Sequence, residues 1–182
     1  MRVIAGKYKR RNLLWPDDTM HIRPTKDRIR EAIFSSLGDI EGKVSLDLYS
    51  GSGSMGIEAI SRGSAFCYFV DINSTALKIT KQNLNSLKID NAEVVALKDV
   101  DALNAFAQKG LKFDLVFLDP PYQEGQYQEI LSLLSNNNLL NDQATIVLES
   151  DHILQLNGNI IYRKDYKYGD IYVAIIKIEV TK

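Results

Sequence analysis

The chain has 182 residues, 45% of them hydrophobic and 25% charged, with a formal net charge of −1, which is ordinary for a globular domain able to bury a core. No apolar run approaches the roughly 18 residues of a membrane span, and the opening MRVIAGKYKRRN lacks the apolar centre of a signal peptide, so neither a membrane nor an exported protein is expected. The single Cys67, in an apolar run, and the distant His21 and His152 allow no disulfide and no zinc spacing; a cytoplasmic location and no metal are expected.

The net charge hides an asymmetry. Residues 1–30 hold nine Lys/Arg against three Asp, a charge of +6, which leaves −7 for the rest. Residues 1–25 therefore read as a basic arm with an anionic partner, and 26–182 as the main domain. RPTKDRIREAIFSSLG predicts a helix from about Lys26 to Leu37, with Ile29, Ile33, Phe34 and Leu37 as its apolar stripe and Gly38 as its stop.

From residue 44 onward, strand-like runs alternate with helical patterns. Strands are predicted at 44–49, 66–71, 92–97, 113–118 and 144–149, with helices at 55–62, 74–88, 101–109 and 127–135. In 74–88 the apolar residues Ala76, Leu77, Ile79, Leu84 and Leu87 form one face, and Lys and Asn residues are expected on the other. Two further strands, 159–163 and 170–180, are separated only by KDYKYG and should form an antiparallel hairpin at one edge. The alternation implies a mostly parallel sheet covered on both faces.

The first strand runs into SGSGSMG, in which Gly51, Gly53 and Gly56 show the spacing G-x-G-x-x-G. Asp71, at the end of the second strand, lies 20 residues beyond Gly51, as in dinucleotide-binding proteins. The neighbouring acids argue for a different ligand. Asp47, four residues before Gly51, would repel a pyrophosphate but suits a cation. S-adenosylmethionine carries a sulfonium and an ammonium and no phosphate. Asp71 would accept hydrogen bonds from ribose hydroxyls with either cofactor, and Asp99 or Asp101 is the candidate for the adenine amino group.

The second motif, LDPPY at 118–122, follows the buried-strand pattern FDLVF. The two prolines remove two donors and stiffen the turn, so that the Asp119 carboxylate and the Pro120 carbonyl become fixed neighbouring acceptors, with Tyr122 as an aromatic face. Such a group suits the exocyclic amino nitrogen of a planar base. Accepting its protons localises the nitrogen lone pair toward a methyl donor, and stacking on Tyr122 would contribute on the order of 1–3 kcal/mol.

Taken together, RVIAGKYKRRNL, RPTKDRIREAIFSSL, LDLYSGSGSMGIEAISRG, VDIN and FDLVFLDPPY resemble the RsmD family of bacterial 16S ribosomal RNA methyltransferases nearly end to end. The resemblance implies a Rossmann-like, S-adenosylmethionine-dependent methyltransferase fold of class α/β. Its seven-stranded sheet would be mostly parallel with an antiparallel last strand, carrying a short basic N-terminal extension. It further implies methylation of the exocyclic N2 of a guanine in 16S rRNA, position 966 in the family's usual description.

Carried onto this chain, Asp47, Tyr49, Ser50, Gly51, Ser52, Gly53 and Gly56 would line the cofactor pocket, Asp71 and Ile72 its ribose end, and Asp99 or Asp101 the adenine. Asp119, Pro120, Pro121 and Tyr122 would hold the target guanine. Arg2, Lys7, Lys9, Arg10, Arg11, Arg23, Thr25 and Arg28 would meet 16S rRNA in the assembling or assembled small subunit, with the protein acting as a monomer. Arg30 and Glu31 match the same upstream motif, where a plain structural role would dock the helix and pair Glu31 with a neighbouring arginine. Two departures stand out: Tyr49-Ser50 in place of the commoner Phe-Ala, and Asn73 in place of an acid, which leaves Asp71 alone at the ribose. The competing readings are amino methylation of adenine or cytosine in DNA or another RNA, a non-catalytic nucleic-acid-binding protein, and an NAD-dependent oxidoreductase.

Overall fold

The computed structural model describes residues 1–15, 27–120 and 126–179. Arg23, Thr25, Lys26, Pro121 and Tyr122, all singled out from the sequence, lie outside the described residues. In chain order the elements are α1 (Asp27–Leu37), β1 (Val44–Leu48), α2 (Ser54–Ser61), β2 (Phe66–Val70), α3 (Ser74–Leu87), β3 (Ala92–Val95), α4 (Asp99–Gln108), β4 (Phe113–Leu118), α5 (Gln126–Asn136), β5 (Leu140–Ser150), β6 (Ile160–Tyr168) and β7 (Ile171–Ile178).

The strands make one sheet in the order β3-β2-β1-β4-β5-β7-β6, parallel from β3 through β5, with β7 antiparallel to both β5 and β6. Strand order reverses between β1 and β4, so the loops leaving their carboxyl ends diverge and open a crevice there. Period-two alternation divides the side chains between two faces. Leu46, Leu48, Val116, Leu118, Ile146 and Leu148 pack under α4 and α5. Leu115, Phe117, Val147 and Val173 meet Ile29, Ile33 and Phe34 of α1, and Cys67 and Phe69 meet α2 and α3. Cys67 is fully buried and free.

Three boundaries differ from the sequence expectation. KDYKYG is not a link: β6 continues to Tyr168 and pairs with β7 as far as Tyr168–Ile171, leaving a two-residue turn at Gly169–Asp170 with Gly169 at φ 66°. The tyrosines alternate with lysines at strand period, which the charge of the segment obscured. β5 begins four residues early, because Leu140 pairs with Phe113 before a register shift carries the strand past Gln143, at φ 65°. α4 begins at Asp99 rather than Asp101, its first turn holding both acids where the helix dipole favours them.

The polar side of α3 is also only partly solvent-facing. Thr80 and Asn83 are fully buried, turned inward among the apolar residues.

Residues 1–13 fold back on themselves through Val3 N–H to the Arg11 carbonyl (2.9 Å), Arg10 N–H to the Val3 carbonyl (2.9 Å) and Leu13 N–H to the Met1 carbonyl (3.0 Å). Val3 and Leu13 are buried in the same cluster as α2 and α3. Gly6, at φ 79°, approaches the chain so closely that a Cβ would stand 1.7 Å from the Ser61 carbonyl oxygen, so this packing requires glycine.

Glu58 of α2, 1% exposed, anchors the hairpin by accepting from the Ile4 (2.8 Å) and Ala5 (3.0 Å) amides. Beside it lies fully buried Arg30, whose guanidinium donates to Asp27 at 3.1 Å and to the Arg2 carbonyl, with Glu58 at 3.7 Å. Burial lowers the Arg30 pKa and the neighbouring acids Glu58 and Asp27 oppose the shift. The ion pairs of the upstream motif thus belong to Arg30, while Glu31 is exposed.

Candidate active site

At the reversal of strand order the chain turns sharply. Tyr49 (φ 68°), Gly51 (φ 53°) and Gly53 (φ 79°) all occupy the left-handed region, and the Gly53 amide donates to the Ser50 carbonyl at 2.7 Å. A non-glycine residue held left-handed beside two glycines is uncommon, and marks a turn dictated by its surroundings. Gly56 has a different task. A Cβ there would lie 2.4 Å from the Phe69 ring and 2.7 Å from the Cys67 sulfur, so glycine lets α2 sit directly on β2.

The turn is braced from behind by α3. Thr80 Oγ1 donates to the Gly51 carbonyl (2.8 Å), and Asn83 Nδ2 to the carbonyls of Ser52 (3.0 Å) and Leu14 (3.1 Å). Asn83 Oδ1 accepts from the Leu14 amide at 2.7 Å. A polar side chain buried in a helix holds two segments of backbone that have no ladder partner of their own. Periodicity alone hid these two residues, because they look like the solvent face of α3.

The acids divide among the strand ends. Asp47, 4% exposed, accepts from the Gly56 amide at 2.8 Å, capping the first turn of α2. Burial pushes its pKa up to about 8, the Gly56 hydrogen bond opposing and Asp71 adding to the shift. Asp71 accepts from the amides of Gly51 and Asn73, both at 2.8 Å. Asn73 is the N-cap of α3, its side-chain oxygen accepting from Thr75 (3.0 Å) and Ala76 (3.1 Å). Ile72 beside it is 66% exposed, an apolar side chain open at the mouth of the crevice.

Of the two acids at α4, the structure gathers Asp99 and leaves Asp101 exposed. Asp99 Oδ2 accepts from the Tyr49 hydroxyl and from Gln126 Nε2 (3.1 Å), and Gln126 Nε2 also reaches the Tyr49 oxygen at 3.1 Å. Burial works against the Asp99 carboxylate, yet the hydrogen bonds from Tyr49, Val100 and Gln126 hold its pKa below the ordinary value. Tyr49 is shifted upward by burial and by Asp99. Tyr49 therefore ties together three segments: the turn after β1 and the first residues of α4 and α5.

A cleft open to solvent is lined by Asp47, Ser50, Ser52, Phe117, Asp119 and Glu149 among others, with Trp15, Ile33, Met55 and Val147 as apolar walls. Asp119 opens onto this cleft, while Pro120 behind it is buried. Asp119 is exposed on its cleft side, and desolvation by the protein behind it, then Glu149 and Asp47, raise its pKa well above its ordinary value. Glu149, 7% exposed near the end of β5, was not singled out from the sequence; its period-two position after Val147 would have placed it beside Asp119 only once the strand order was known.

The donor set fits a cationic, adenosyl-type ligand. Among the described residues the pocket lining holds three carboxylates and no lysine or arginine, and the hydroxyls of Ser50 and Ser52 are buried in it without hydrogen-bond partners. The basic residues lie elsewhere. Arg2, Lys7, Lys9, Arg10, Arg11 and Arg28 are exposed, Arg2 pairing with Asp27 at 3.3 Å and Arg11 donating to the Ser86 carbonyl at 3.3 Å. All but Arg28 sit on the hairpin that packs over α2 and α3. No helix among the described residues is long and apolar enough to cross a membrane.

Residues 1–177 match the protein family described as Conserved hypothetical protein 95. The chain is 38% identical over 182 residues to YlbH of Bacillus subtilis, a protein bearing rRNA methyltransferase in its name, covering 97% of this chain and 98% of the relative. It is 38% identical over 152 residues to ribosomal RNA small subunit methyltransferase D of Escherichia coli, covering 83% and 75%. Among solved structures, the E. coli protein yhhF, also named as a methyltransferase, superposes with a TM-score of 0.85 at 32% identity, over 100% of this chain and 99% of its own. With its Rossmann-like methyltransferase sheet and its match along nearly the whole length, the chain belongs to the RsmD family.

Proposed function

We propose that the protein transfers a methyl group from S-adenosylmethionine to the exocyclic N2 of a guanine in 16S ribosomal RNA, of the guanine-966 type. The observation that carries this reading is the convergence on one cleft of Asp119, at the exit of β4, with Asp47 and the Ser50–Ser52 turn, at the exit of β1. A cofactor turn and an acceptor for an amino group thus face the same space. The names of the relatives, both of which speak of ribosomal RNA and the E. coli one of its small subunit, supply the substrate class.

S-adenosylmethionine, when bound, supplies an electrophilic methyl group. The chain's own residues do the rest. Asp47 offers a carboxylate to a cationic group, and its proton leaves when that cation arrives. Asp71 and Ile72 offer a hydroxyl acceptor and an apolar surface at the end of β2, and Asp99 is the acid of the α4 pair that faces the same side. Asp119 and the Pro120 carbonyl accept the amino protons of the target base, so that its nitrogen lone pair is aimed rather than delocalised. The nitrogen that gains the methyl loses one proton, for which Asp119, with its raised pKa, is a fitting first acceptor. The exposed basic side chains of the N-terminal hairpin and Arg28 supply phosphate contacts that a body of net negative charge does not.

The test is methyl transfer from labelled cofactor to 30S particles, naked 16S RNA and duplex DNA, followed by nucleoside analysis. N2-methylguanosine in the ribosomal RNA is the expected product. N6-methyladenosine, or label in the duplex DNA alone, would overturn the reading.

A further inference from the structure

We propose that Glu149 is the specificity-determining residue of the site: it accepts the ring N1–H of the target guanine while Asp119 accepts the adjacent N2–H. This inference rests on the guanine-N2 reading above.

Leu118 of β4 and Leu148 of β5 are register partners in a parallel pair, so the next residues along, Asp119 and Glu149, leave the sheet side by side. Both follow by two positions the partners Phe117 and Val147, and therefore project on the same face, over the apolar walls that those residues give the cleft. Glu149 is held on three sides. Its strand pairs with β4 on one flank, Glu149 itself is the register partner of Val173 on the other, and its carbonyl accepts a 2.6 Å hydrogen bond from Tyr127 in the first turn of α5. It sits on a rigid strand end, 7% exposed, where a hydrogen-bond acceptor has little room to adapt to a different partner. The nearby Ser50 and Ser52 hydroxyls, 8% and 1% exposed and without partners among the described residues, mark the same cleft as built to receive polar groups.

Two fixed acceptors in a row read a particular edge. Guanine presents two donors side by side, N1–H and the N2 amino group. Adenine and cytosine each present their amino group beside a ring nitrogen that is an acceptor. Facing Glu149, that lone pair would meet a carboxylate oxygen with no proton between them, and the mismatch is costly because Glu149 is buried. Crowding by Glu149 and Asp47 is also among the causes that raise the Asp119 pKa, and two N–H donors arriving together relieve it. The recognition needs no change in covalent chemistry: Asp119 addresses the reacting nitrogen, and Glu149 decides which base can present it.

The experiment replaces the target guanine with 2-aminopurine, which keeps the 2-amino group but turns N1 into an acceptor, in ligated 16S RNA or particles reconstituted from it. Wild-type protein is expected to favour guanine by about 100-fold or more in kcat/KM. Glu149→Ala should lose that preference by falling on guanine while moving 2-aminopurine less than about threefold. Glu149→Gln, whose amide offers either a weaker carbonyl acceptor or an N–H, should fall on guanine by less than Glu149→Ala does and gain on 2-aminopurine, and that gain shows that the site still folds. Equal losses on both bases in Glu149→Ala, or no preference in the wild type, would overturn the assignment. If wild-type protein forms no N2-methylguanosine on the guanine substrate, the guanine-N2 reading falls first and this one with it. If it does form and the preference survives Glu149→Ala, only the role of Glu149 falls.

Discussion

The Asp47 carboxylate on β1 accepts from the Gly56 amide at 2.8 Å, capping the first turn of the helix that follows, α2. One residue thus holds the glycine turn in shape and offers a negative charge to the pocket. The two tasks conflict in the ligand-free protein, because burial keeps the carboxyl protonated up to about pH 8 against an ordinary 3.8. Between those values the folded state holds a proton that the unfolded chain has released, so stability falls as pH rises from about 4 to about 8. Asp47→Asn should remove this slope, with a larger gain in Tm over wild type at pH 8 than at pH 5 by calorimetry.

The same residue predicts a proton count on binding. At pH 7 the ligand-free protein carries a proton on Asp47, and a cationic ligand beside it favours the carboxylate. Titration calorimetry with S-adenosylmethionine in buffers of different ionisation enthalpy should show net proton release at pH 7, absent in Asp47→Asn.

Asp119 and Asp71 should separate chemistry from cofactor binding. Asp119→Ala is expected to lower kcat by at least about 10²-fold while leaving the Kd for S-adenosylhomocysteine within about threefold. Asp71→Ala removes the acceptor that pins the Gly51 amide and should weaken that Kd by about 10-fold or more. Equal effects of the two substitutions on both quantities would contradict the division of the site.

The basic hairpin is anchored through its backbone and through Val3 and Leu13, while Arg10 and Arg11 are exposed and Arg11 adds one exposed hydrogen bond to the Ser86 carbonyl. Neutralising Arg10 and Arg11 with glutamine should leave Tm nearly unchanged and reduce the slope of log K against log salt for 16S RNA by about 1 for each phosphate that is no longer neutralised. An unchanged slope would place the RNA elsewhere.

Asn83 makes the opposite prediction. It is fully buried and binds the Ser52 carbonyl and both backbone groups of Leu14, so Asn83→Leu leaves those groups unsatisfied. A loss of about 2–4 kcal/mol in denaturant unfolding is expected, together with weaker cofactor binding because the turn loses its brace.

Much of this molecule was legible in its sequence. The alternation of apolar runs with helical patterns is a local property, and it located seven strands and five helices, with Phe113–Leu118 and its trailing Asp119 matched at both ends. The turn at Gly51–Gly56 was likewise readable, since only glycine tolerates left-handed backbone or contact with the Phe69 ring at little cost. What tertiary structure alone decided depends on which strands become neighbours. Asp99 rather than Asp101 is gathered toward the turn after β1, because Tyr49 and Gln126 donate to it from 50 and 27 residues away. Thr80, Asn83 and Glu58 read as surface polar residues until the backbone they satisfy is placed against them. Glu149 lies 30 positions from Asp119 in the chain, and no spacing rule links them; the parallel pairing of β4 with β5 puts the two carboxylates at one mouth. Sequence periodicity reports each element's inward face, whereas a site is made where several such faces end together.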